Sequence, residues 1–476
     1  MSKTPGTRTA SVMETIRARV VSRALISGDR LPSVRGFAAK MGVSPSTVVE
    51  AYDRLAAEGL IRARAGSGFY VSAPAAPLVL ADTAPNLDRA IDPFWVSRQS
   101  LDTDTNIPKP GCGWLPAEWM PNEAIRRAIR SLAKAEASIL SDYGVTRGPL
   151  ALRRLLARQF SEESLAVTPD QILLSGSGTQ AIDLICRFFL RPGDTVLVDD
   201  PCYFNFQALL RAHQATIVSV PYTPTGPDVD CFAETVESKH PRLYITNSAL
   251  HNPTGATLSP QTAHRLLNIA TSQKMIVVED DIFAGFESEP SPRLATLDGL
   301  SSVIRIGSFS KTLSASIRCG YSAARPDWIE ALIDLQVETS FGGVSPVAAE
   351  LVFSALSDGS YRKHLEELRR KLNRVRRTIA TKLEALGVQP WLMPHGGFYL
   401  WCRLPGGRDA GAVAHAALRD GVILAPGNVF SASQTASEFM RFNVAQMNSA
   451  HIFTVLERAL KPETNACTFT GTSKKR

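Results

Sequence analysis

The sequence predicts a multidomain protein, in which a small helical domain with a two-stranded hairpin precedes a larger α/β domain. Three observations lead to this prediction. The chain has 476 residues, which is about three times the usual length of one domain. Its basic excess lies near the N-terminus. Beyond residue 170, short apolar runs alternate with helical segments, a pattern typical of a largely parallel sheet that is covered on both faces.

The composition argues against several other classes of protein. Hydrophobic residues make up 44% and charged residues 20% of the chain, and no apolar run reaches the roughly 18 residues of a membrane-spanning helix. We therefore expect a soluble globular protein without a membrane segment. Residues 1–20 lack the apolar stretch of a secretory signal, so a cytoplasmic location is expected. The seven cysteines form no C-x-x-C pair, which predicts neither a disulfide framework nor a structural metal site.

The net charge is unevenly distributed along the chain. Residues 1–72 contain eleven lysines and arginines against five acidic residues, a net charge of +6, whereas the whole chain carries +7. A basic excess confined to a small segment is expected where a protein binds a polyanion such as DNA. A solvated basic surface would have the same composition, so the charge alone leaves both interpretations open.

Three helices are predicted in this basic segment. The first runs from residue 13 to about residue 27, where apolar residues recur on one helical face, and it ends near Gly28. A second, short helix begins after the capping residue Ser33 and ends at Gly42. The third begins at Ser44 and Pro45, because a capping hydroxyl followed by proline is a common helix start. The second and third helices form a helix-turn-helix.

A two-stranded wing is predicted after the third helix. Residues 61–64 alternate apolar and basic side chains, residues 65–68 form a turn rich in glycine, and residues 69–71 return as a second strand. In a winged helix-turn-helix, the start of the recognition helix enters the major groove of DNA, and hydroxyl and N–H groups there hold phosphates.

The stretch LPSVRGFAAKMGVSPSTVVEAYDRLAAEGLIRARAGSGFYV resembles the DNA-binding domain of the GntR family of bacterial regulators over its whole length. The resemblance implies that double-stranded DNA is contacted by Arg35, by Ser44, Ser46 and Thr47 at the helix start, and by Gly66, Ser67 and Gly68 in the wing. The family usually has an arginine where this chain has Pro45, so sequence preference must depend on other residues. For Ser33 and Tyr52 the ordinary roles, a helix cap and a core aromatic, are the better interpretation.

The rest of the chain is divided into a linker, a large domain and a tail. Residues 73–93 are rich in proline and alanine and are interpreted as an interdomain linker. Residues 463–476 are polar and are interpreted as a C-terminal tail. The large domain, residues 94–462, contains strand-like apolar runs at residues 171–174, 195–198, 242–245, 275–278 and 303–306.

Polar motifs follow these predicted strands. The small-residue loop 175–180 leads into a helix, whose N-terminal N–H groups and hydroxyls suit a phosphate. Tyr203 offers a ring for stacking, although a core tyrosine would be its ordinary role in isolation, and Asn252 in HNPTG offers an amide donor. Asp280 ends a strand, where a buried carboxylate needs a cationic partner, and Lys311 follows the last strand. Together these residues meet the needs of pyridoxal 5′-phosphate held as a Schiff base.

The motifs YGVTRGPLALRRLLA, SGTQ, HNPTG, VEDDIFAGF, GSFSKTLSASIRCGY, HGGFYLWCRLP and MRFNVAQM resemble those of fold-type I aminotransferases across residues 96–460. The resemblance implies that Lys311 forms the Schiff base and is the catalytic acid and base. It further implies that Asp280 pairs with the pyridinium nitrogen, Asn252 bonds the 3′-oxygen and Tyr203 stacks on the ring.

The same resemblance implies roles for the residues around the cofactor. The phosphate would be held by Ser177, Gly178, Thr179, Ser308, Ser310 and Arg318. Arg441 would clamp the α-carboxylate of an amino-acid ligand, a role suited to its bidentate guanidinium. Tyr143 would reach the phosphate of the cofactor in the partner subunit, which implies a homodimer.

One departure from the aminotransferase pattern follows the motif aspartate. The family usually has a tyrosine there whose hydroxyl touches the 3′-oxygen, and this chain has Ile282 and Phe283. The lost hydrogen bond is worth on the order of 1 kcal/mol. Cofactor binding is therefore better supported than catalytic turnover.

A basic winged helix joined to an aminotransferase-like domain is similar to the MocR subgroup of GntR regulators. We therefore expect a transcription regulator whose large domain binds pyridoxal phosphate and senses the cofactor, an amino acid or an amine. The alternative is a pyridoxal-phosphate-dependent aminotransferase in which the small domain is incidental. A third hypothesis is a sensor of cofactor level that needs no second ligand.

Overall fold

The structure is a computed structural model that describes residues 7–21, 25, 28–64, 66–72, 101 and 107–461. It divides into two compact units, Met1–Arg89 and Ala90–Arg476. The predicted linker 73–93 and tail 463–476 lie outside the described residues, as does residue 65 of the predicted wing. Within the described ranges, no helix is long and apolar enough to cross a membrane.

The described part of the N-terminal unit consists of helices and an antiparallel hairpin: α1 (Arg8–Val21), α2 (Val34–Met41), α3 (Pro45–Ala57), β1 (Ile61–Arg64) and β2 (Gly68–Val71). The predicted start of the first helix at residue 13 was wrong, because the helix begins at Arg8. The Thr7 hydroxyl accepts a hydrogen bond from the Ala10 N–H at 3.3 Å and caps a polar first turn that the apolar pattern does not mark. The predicted end near residue 27 was also wrong: the helix ends at Val21, and Leu25 lies in a bend, where its N–H donates to the Arg19 carbonyl at 2.9 Å. Residues 22–24 and 26–27 lie outside the described residues.

The predicted caps of the other two helices are confirmed. The Ser33 hydroxyl accepts from the Gly36 N–H at 3.2 Å, and α2 ends at Gly42, whose φ of 63° is the left-handed conformation of a helix C-terminus. The Ser44 hydroxyl accepts from the Thr47 N–H, also at 3.2 Å. Tyr52 is fully buried and donates to the Pro32 carbonyl at 3.0 Å, so its predicted core role is confirmed.

In the large unit, the described residues form an eight-stranded sheet in the order β3-β10-β9-β8-β7-β4-β5-β6. The strands are β3 (Ile172–Ser175), β4 (Thr195–Asp200), β5 (Thr216–Thr223), β6 (Gly226–Pro227), β7 (Leu243–Thr246), β8 (Ile276–Asp280), β9 (Val303–Ser308) and β10 (Gly320–Ala323). Pairing is parallel from β9 to β5, whereas β10 is antiparallel to both neighbours. The predicted, largely parallel sheet is confirmed, and each predicted apolar run forms a strand.

Helices cover both faces of this sheet. Along β4, Leu197 belongs to one buried apolar cluster while Val196 and Val198 belong to another, as expected when successive side chains of a strand point to opposite, buried faces. The described residues of the large unit contain helices α4 (Asn122–Leu132), α5 (Ala137–Ser141), α6 (Leu150–Glu162), α7 (Gly178–Phe189), α8 (Phe204–Ala212), α9 (Val229–Lys239), α10 (Pro260–Ser272), α11 (Leu294–Asp298), α12 (Pro326–Ser340) and α13 (Pro346–Ser357). They also contain α14 (Ser360–Glu384), α15 (Ala410–Arg419) and α16 (Ala450–Ala459), which pack elsewhere.

A second, antiparallel sheet in the described residues has the order β11-β12-β14-β13. Its strands are β11 (Gln389–Pro390), β12 (Tyr399–Arg403), β13 (Ala425–Pro426) and β14 (Phe439–Asn443). In the register of the two central strands, Tyr399 lies opposite Asn443 and Trp401 lies opposite Arg441. This sheet packs with α14, α15 and α16 in a separate apolar cluster.

Candidate functional site

A cavity of about 280 Å³ lies where the strands of the large sheet end. Parallel strands place their carboxyl ends at one edge of a sheet, which is where ligands of α/β proteins usually bind. The cavity brings together every site residue that the sequence predicted for the large domain except Tyr143: Ser177, Gly178, Thr179, Tyr203, Asn252, Asp280, Ser308, Ser310, Lys311, Arg318 and Arg441.

The small-residue loop after β3 ends in a helix start, as predicted. The Ser177 hydroxyl caps α7 by accepting from the Gln180 N–H at 3.0 Å, and Gly178 is the first helical residue. The Gln180 side chain accepts from the Gly176 N–H at 2.6 Å, which holds the loop. The unpaired N–H groups of a helix start favour an anion.

A second set of polar groups follows β9 and lines the same cavity. The Ser308 hydroxyl donates to the Cys319 carbonyl at 3.2 Å and accepts from the Ser310 N–H, also at 3.2 Å. Arg318 has a φ of 57°, in the left-handed region that few non-glycine residues adopt. Its guanidinium forms no ion pair with any residue that the structure describes. The charge is therefore available to an anionic ligand.

Lys311 lies deep in the cavity. Its Nζ donates a hydrogen bond to the Gly113 carbonyl at 2.7 Å. Burial is the largest influence on the amine and lowers the pKa of Lys311 to about 8, because an apolar environment disfavours the charged form. The neutral form, which is the nucleophile toward a carbonyl carbon, is therefore more populated near neutral pH than in an exposed lysine, although the charged form still predominates.

Asp280 ends β8 and is 6% exposed. Its carboxylate accepts from the Ile282 N–H at 3.2 Å, and its backbone carbonyl accepts from the Asn247 amide at 2.9 Å. Burial raises the pKa of Asp280 to about 7. Across the described ranges, no lysine or arginine forms an ion pair with Asp280.

The two acids beside Asp280 are, by contrast, satisfied by the protein. Asp281 pairs with Arg293 at 2.7 Å and with Arg305 at 2.5 Å. Glu279 accepts from the N–H groups of Leu294 and Ala295, both at 2.8 Å, at the start of α11. Asp280 is therefore the acid left to balance a cation from a ligand, which fits the protonated ring nitrogen of pyridoxal phosphate.

Arg441 contacts another predicted site residue, Asn252, and the sequence did not predict this contact. It is 1% exposed on β14, and its Nη1 donates to Asn252 Oδ1 at 2.8 Å while its Nη2 donates to the Gly111 carbonyl at 2.7 Å. The rings of Tyr399 and Phe430 lie 4.3 Å and 4.6 Å from its Cζ. These contacts hold the guanidinium in one orientation.

Tyr203 and the two residues after Asp281 form apolar walls of the cavity. Tyr203 precedes α8 and packs against Phe206, and burial raises the pKa of Tyr203 to about 12. Ile282 and Phe283 line the cavity, so no hydroxyl is present where the aminotransferase pattern has its tyrosine.

Several lining residues were not predicted from the sequence. They are residues 111–114, Asn247, Phe204 and Tyr399. Asn247 directly follows β7. Its position as a polar residue at a strand end could therefore have identified it as a site residue from the sequence. No strand in the described part of the chain directly precedes residues 111–114, and only the folded chain brings Gly113 to Lys311.

Tyr143 lies apart from this cavity. Its side chain is 74% exposed, and its ring contacts that of Phe341, which is 69% exposed, with the centroids 5.1 Å apart. The predicted contact of Tyr143 with a cofactor in a partner subunit stays a prediction.

The residues predicted to bind DNA lie on α2, the start of α3 and the wing. Arg35, Ser44, Ser46, Gly66 and Gly68 are exposed, and Thr47 and Ser67 are half-buried. The Ser67 hydroxyl lies 2.6 Å from the Tyr70 hydroxyl. Gly66 and Gly68 have φ values of 69° and 101°, so the wing turn needs glycine. Arg62 and Arg64 are also exposed on β1 and add positive charge beside the turn.

Two family models match the chain. Residues 8–71 match bacterial regulatory proteins of the gntR family, and residues 116–458 match aminotransferase class I and II.

Known proteins resemble the whole chain or its large domain. The chain is 29% identical to the uncharacterized HTH-type transcriptional regulator YdcR of Escherichia coli strain K12, over 91% of this chain and 94% of that protein. It is 26% identical to the HTH-type transcriptional regulator NorG of Staphylococcus aureus strain USA300, over 78% and 86%. Among solved structures, it is similar to LysN, an α-aminoadipate aminotransferase from Thermus thermophilus complexed with N-(5′-phosphopyridoxyl)-L-leucine. That likeness has 27% identity, a TM-score of 0.70 and coverage of 77% of this chain and 94% of that one.

Proposed function

The chain belongs to the aminotransferase class I and II family, and from this family and its gntR-type N-terminal domain we propose that it is a MocR-type transcription regulator. It binds double-stranded DNA through the winged helix-turn-helix and pyridoxal 5′-phosphate through the large domain. The observation that carries the proposal is the presence, in one chain, of a basic gntR-type domain and a cavity that holds Lys311 together with Asp280, which has no ion-pair partner among the described residues.

The cavity residues suit this cofactor group by group. Lys311 would hold it covalently, Asp280 would pair with its ring nitrogen, and Asn252 and Tyr203 would contact its ring. Its phosphate would be held by Ser177, Gly178, Thr179, Ser308, Ser310 and Arg318. When bound, pyridoxal phosphate supplies an electron sink for chemistry at the α-carbon of an amino acid.

The large domain senses a small molecule at this cavity. Arg441 is suited to bind a carboxylate through its guanidinium edge, because the rings of Tyr399 and Phe430 lie within 4.6 Å of its Cζ and hold the group in place. A ligand that prefers one arrangement of the protein changes DNA affinity only by its differential affinity for the arrangements. The effector is the cofactor, an amino acid or an amine.

The regulator acts as a homodimer in the cytoplasm. Dimers of helix-turn-helix proteins bind paired half-sites, so two copies of the N-terminal domain would read a palindromic operator. The exposed apolar side chains Leu140, Tyr143, Val145 and Phe341 are suited to contact a second copy. Tyr143 would there reach the phosphate of the partner subunit's cofactor.

The test is DNA binding by the full chain, with DNA selected from a random pool by the purified protein. Affinity is measured by fluorescence anisotropy without cofactor, with pyridoxal phosphate, and with pyridoxal phosphate plus single amino acids or amines. The proposal predicts that at least one addition changes the affinity. Identical affinities under all conditions would contradict ligand sensing, and failure to select any DNA would contradict the regulator function itself.

A second candidate function is metabolic transamination, favoured by the presence of Lys311, Asp280, Asn252 and Arg441 in one cavity. Steady-state turnover at ordinary enzyme rates, on the order of 1–10³ s⁻¹, would support it. A slow, single half-reaction with a few amino acids would count against it.

Two variants distinguish a regulator that senses only the cofactor from a regulator that senses an amino acid. If the cofactor alone is the effector, Arg441→Ala retains regulation of DNA binding and Lys311→Ala abolishes it. If an amino acid is sensed, both variants lose the response to that amino acid.

A further inference from the structure

Tyr399 lies beside Arg441 on the small sheet. The two residues are on neighbouring strands, and the register places Tyr399 opposite Asn443 and Arg441 opposite Trp401. They are therefore diagonal neighbours on the same face of the sheet. The guanidinium Cζ of Arg441 lies 4.3 Å from the centroid of the Tyr399 ring, and both side chains line the cavity.

The Tyr399 hydroxyl points toward the same place as the Lys311 amine. A β-carbon built on Gly113 would lie 3.3 Å from Tyr399 Oη and 3.9 Å from Lys311 Nζ. The hydroxyl and the amine thus flank one point, which is open because residue 113 has no side chain.

This hydroxyl belongs to a buried side chain and lacks a partner. Tyr399 is 5% exposed, and its hydroxyl makes no hydrogen bond with any residue that the structure describes. The hydroxyl oxygen is not among the fully enclosed polar atoms, and Tyr399 lines the cavity, so its hydrogen-bond partner is a molecule in the cavity. Burial also raises the pKa of Tyr399, so the hydroxyl keeps its proton and is a donor.

The position of Tyr399 favours an amino-acid ligand over the cofactor as its acceptor. The residues that suit the cofactor include Ser177, Asp280 and Ser308, which lie at or just after the ends of strands of the large sheet. Tyr399 instead belongs to the small sheet with Arg441. Asn252 and Gly111 take one N–H from each terminal nitrogen of Arg441, which leaves the other terminal N–H groups for a carboxylate.

We propose that the Tyr399 hydroxyl donates a hydrogen bond to the carboxylate of an α-amino acid that binds between Lys311 and Arg441. The inference rests on the proposed function and narrows it, because it makes the effector an α-amino acid and not a simple amine. Tyr399 is then a specificity-determining residue. It stabilises the binding of ligands that carry a carboxylate next to the amine, and it does not stabilise the binding of ligands that lack this carboxylate.

The test uses the full chain loaded with pyridoxal phosphate. The standard L-amino acids are titrated one at a time by calorimetry, and the decarboxylated amine of the best ligand is titrated in parallel. The variant is Tyr399→Phe, which removes one oxygen and keeps the ring against Arg441. The control is Tyr321→Phe, since Tyr321 is a buried tyrosine of β10 that does not line the cavity.

Loss of a hydrogen bond to a charged group costs about 1.5–3 kcal/mol. Tyr399→Phe should therefore lower the affinity of the protein for the amino acid by roughly tenfold or more. Binding of the matching amine should stay within about twofold of the wild-type value. The visible absorption of the bound cofactor, and its dependence on pH, should not change. The Tyr321→Phe control should bind both ligands as the wild-type protein does.

Three results would overturn the inference. The first is an unchanged affinity of Tyr399→Phe for the amino acid, and the second is an equal loss of affinity for the amino acid and for the amine. The third is a shifted pH midpoint of cofactor absorption with unchanged ligand affinity, which would assign the hydroxyl to the cofactor. Any of these, with amino-acid binding intact in the wild-type protein, leaves the proposed function standing. If the wild-type protein binds none of the amino acids, the amino-acid effector of the proposed function fails as well.

Discussion

Three consecutive acids at the end of β8 show how the surroundings of a residue decide its role. Glu279 accepts from two backbone N–H groups, and Asp281 pairs with two arginines. Asp280 lies between them, also buried, without an ion pair in the described part of the chain. The ionised form of Asp280 therefore carries an electrostatic cost, which either protonation or a ligand cation relieves.

Replacement of Asp280 by asparagine should change how the stability of the apoprotein depends on pH. Folding raises the pKa of Asp280 from 3.8 to about 7, so its contribution to stability is fully present below about pH 4 and is lost as pH rises through about 7. Asp280→Asn should lack this decline, while its affinity for pyridoxal phosphate should fall roughly tenfold or more through loss of a charge-assisted bond. Thermal denaturation of the apoprotein against pH, and cofactor titration at pH 7, measure the two effects.

The control for this experiment is Asp334→Asn, because Asp334 is an exposed aspartate on α12. A decline with pH that is equally steep in wild type and Asp280→Asn would contradict the assignment.

Lys311 makes a separate prediction about pH. Because burial lowers the pKa of its amine to about 8, the neutral, nucleophilic fraction increases as pH rises through that value. The rate at which the apoprotein incorporates pyridoxal phosphate should therefore increase with pH, with a midpoint near 8. Stopped-flow absorbance measures this rate. No pH dependence in the wild-type protein, or equal incorporation by Lys311→Ala, would contradict the proposed attachment.

At the residue scale, local sequence predicted the site residues that follow strands, such as Asp280 and Lys311. It did not predict that Asn252 binds Arg441, 189 positions away, or that the Gly111 carbonyl binds Arg441 from 330 positions away. Both contacts depend on how the small sheet packs on the ends of the large one. Local patterns carry no information about such packing.

Among the elements, α3 follows Ser44, whose hydroxyl caps the helix and is predicted to contact DNA phosphates. Ser44 caps the helix and also lies 2.8 Å from the hydroxyls of Ser46 and Thr47. Ser44→Asp should keep the cap, because aspartate is an equally good N-cap, but its charge should repel phosphate. Ser44→Ala should lose about 0.5–2 kcal/mol of stability. Denaturation and DNA anisotropy separate the effects: a Ser44→Asp protein that is stable and binds DNA normally would contradict the placement of Ser44 at the phosphates.

The β8 and β9 strands are joined by a buried ionic cluster. Arg305 is 1% exposed and pairs with Asp281 at 2.5 Å and with Glu163 at 2.6 Å. Arg305→Met leaves Asp281 with only Arg293, and removing one partner of a buried ion pair typically costs about 3–5 kcal/mol. Urea denaturation should show a loss of that size, against a negligible change for the exposed Arg419→Met. A loss below about 1 kcal/mol would mean that the cluster is not a main source of stability.

At the element scale, apolar runs predicted the central parallel strands but not β10. Its sequence, GYSA, contains glycine and serine, and it is a strand because backbone partners on both sides complete its ladder. Strand β5 was missed for a related reason: Ser219 and Pro221 interrupt its apolar run. Propensity is a weak guide where neighbouring strands supply the hydrogen bonds.

For the whole molecule, the charge distribution separates two functions. Residues 1–72 carry a net charge of +6 out of the +7 of the chain, so attraction to DNA is concentrated in the N-terminal domain. The large domain has the cavity for the cofactor. The sequence predicted both types of domain through their motifs, because each motif is local. It did not predict how the state of one domain changes the other, which depends on the differential affinity of the ligand.

The central claim is that occupancy of the cavity changes the affinity of the same chain for DNA. The most direct measurement is DNA anisotropy with full-length wild type and Lys311→Ala, each without pyridoxal phosphate, with it, and with it plus single amino acids or amines, at one fixed salt concentration. Allosteric coupling of 1–3 kcal/mol corresponds to roughly a 5- to 150-fold change. We predict a change in this range for the wild type and none for Lys311→Ala. Equal DNA affinities of the wild type without cofactor, with pyridoxal phosphate, and with pyridoxal phosphate plus each amino acid or amine would contradict the account.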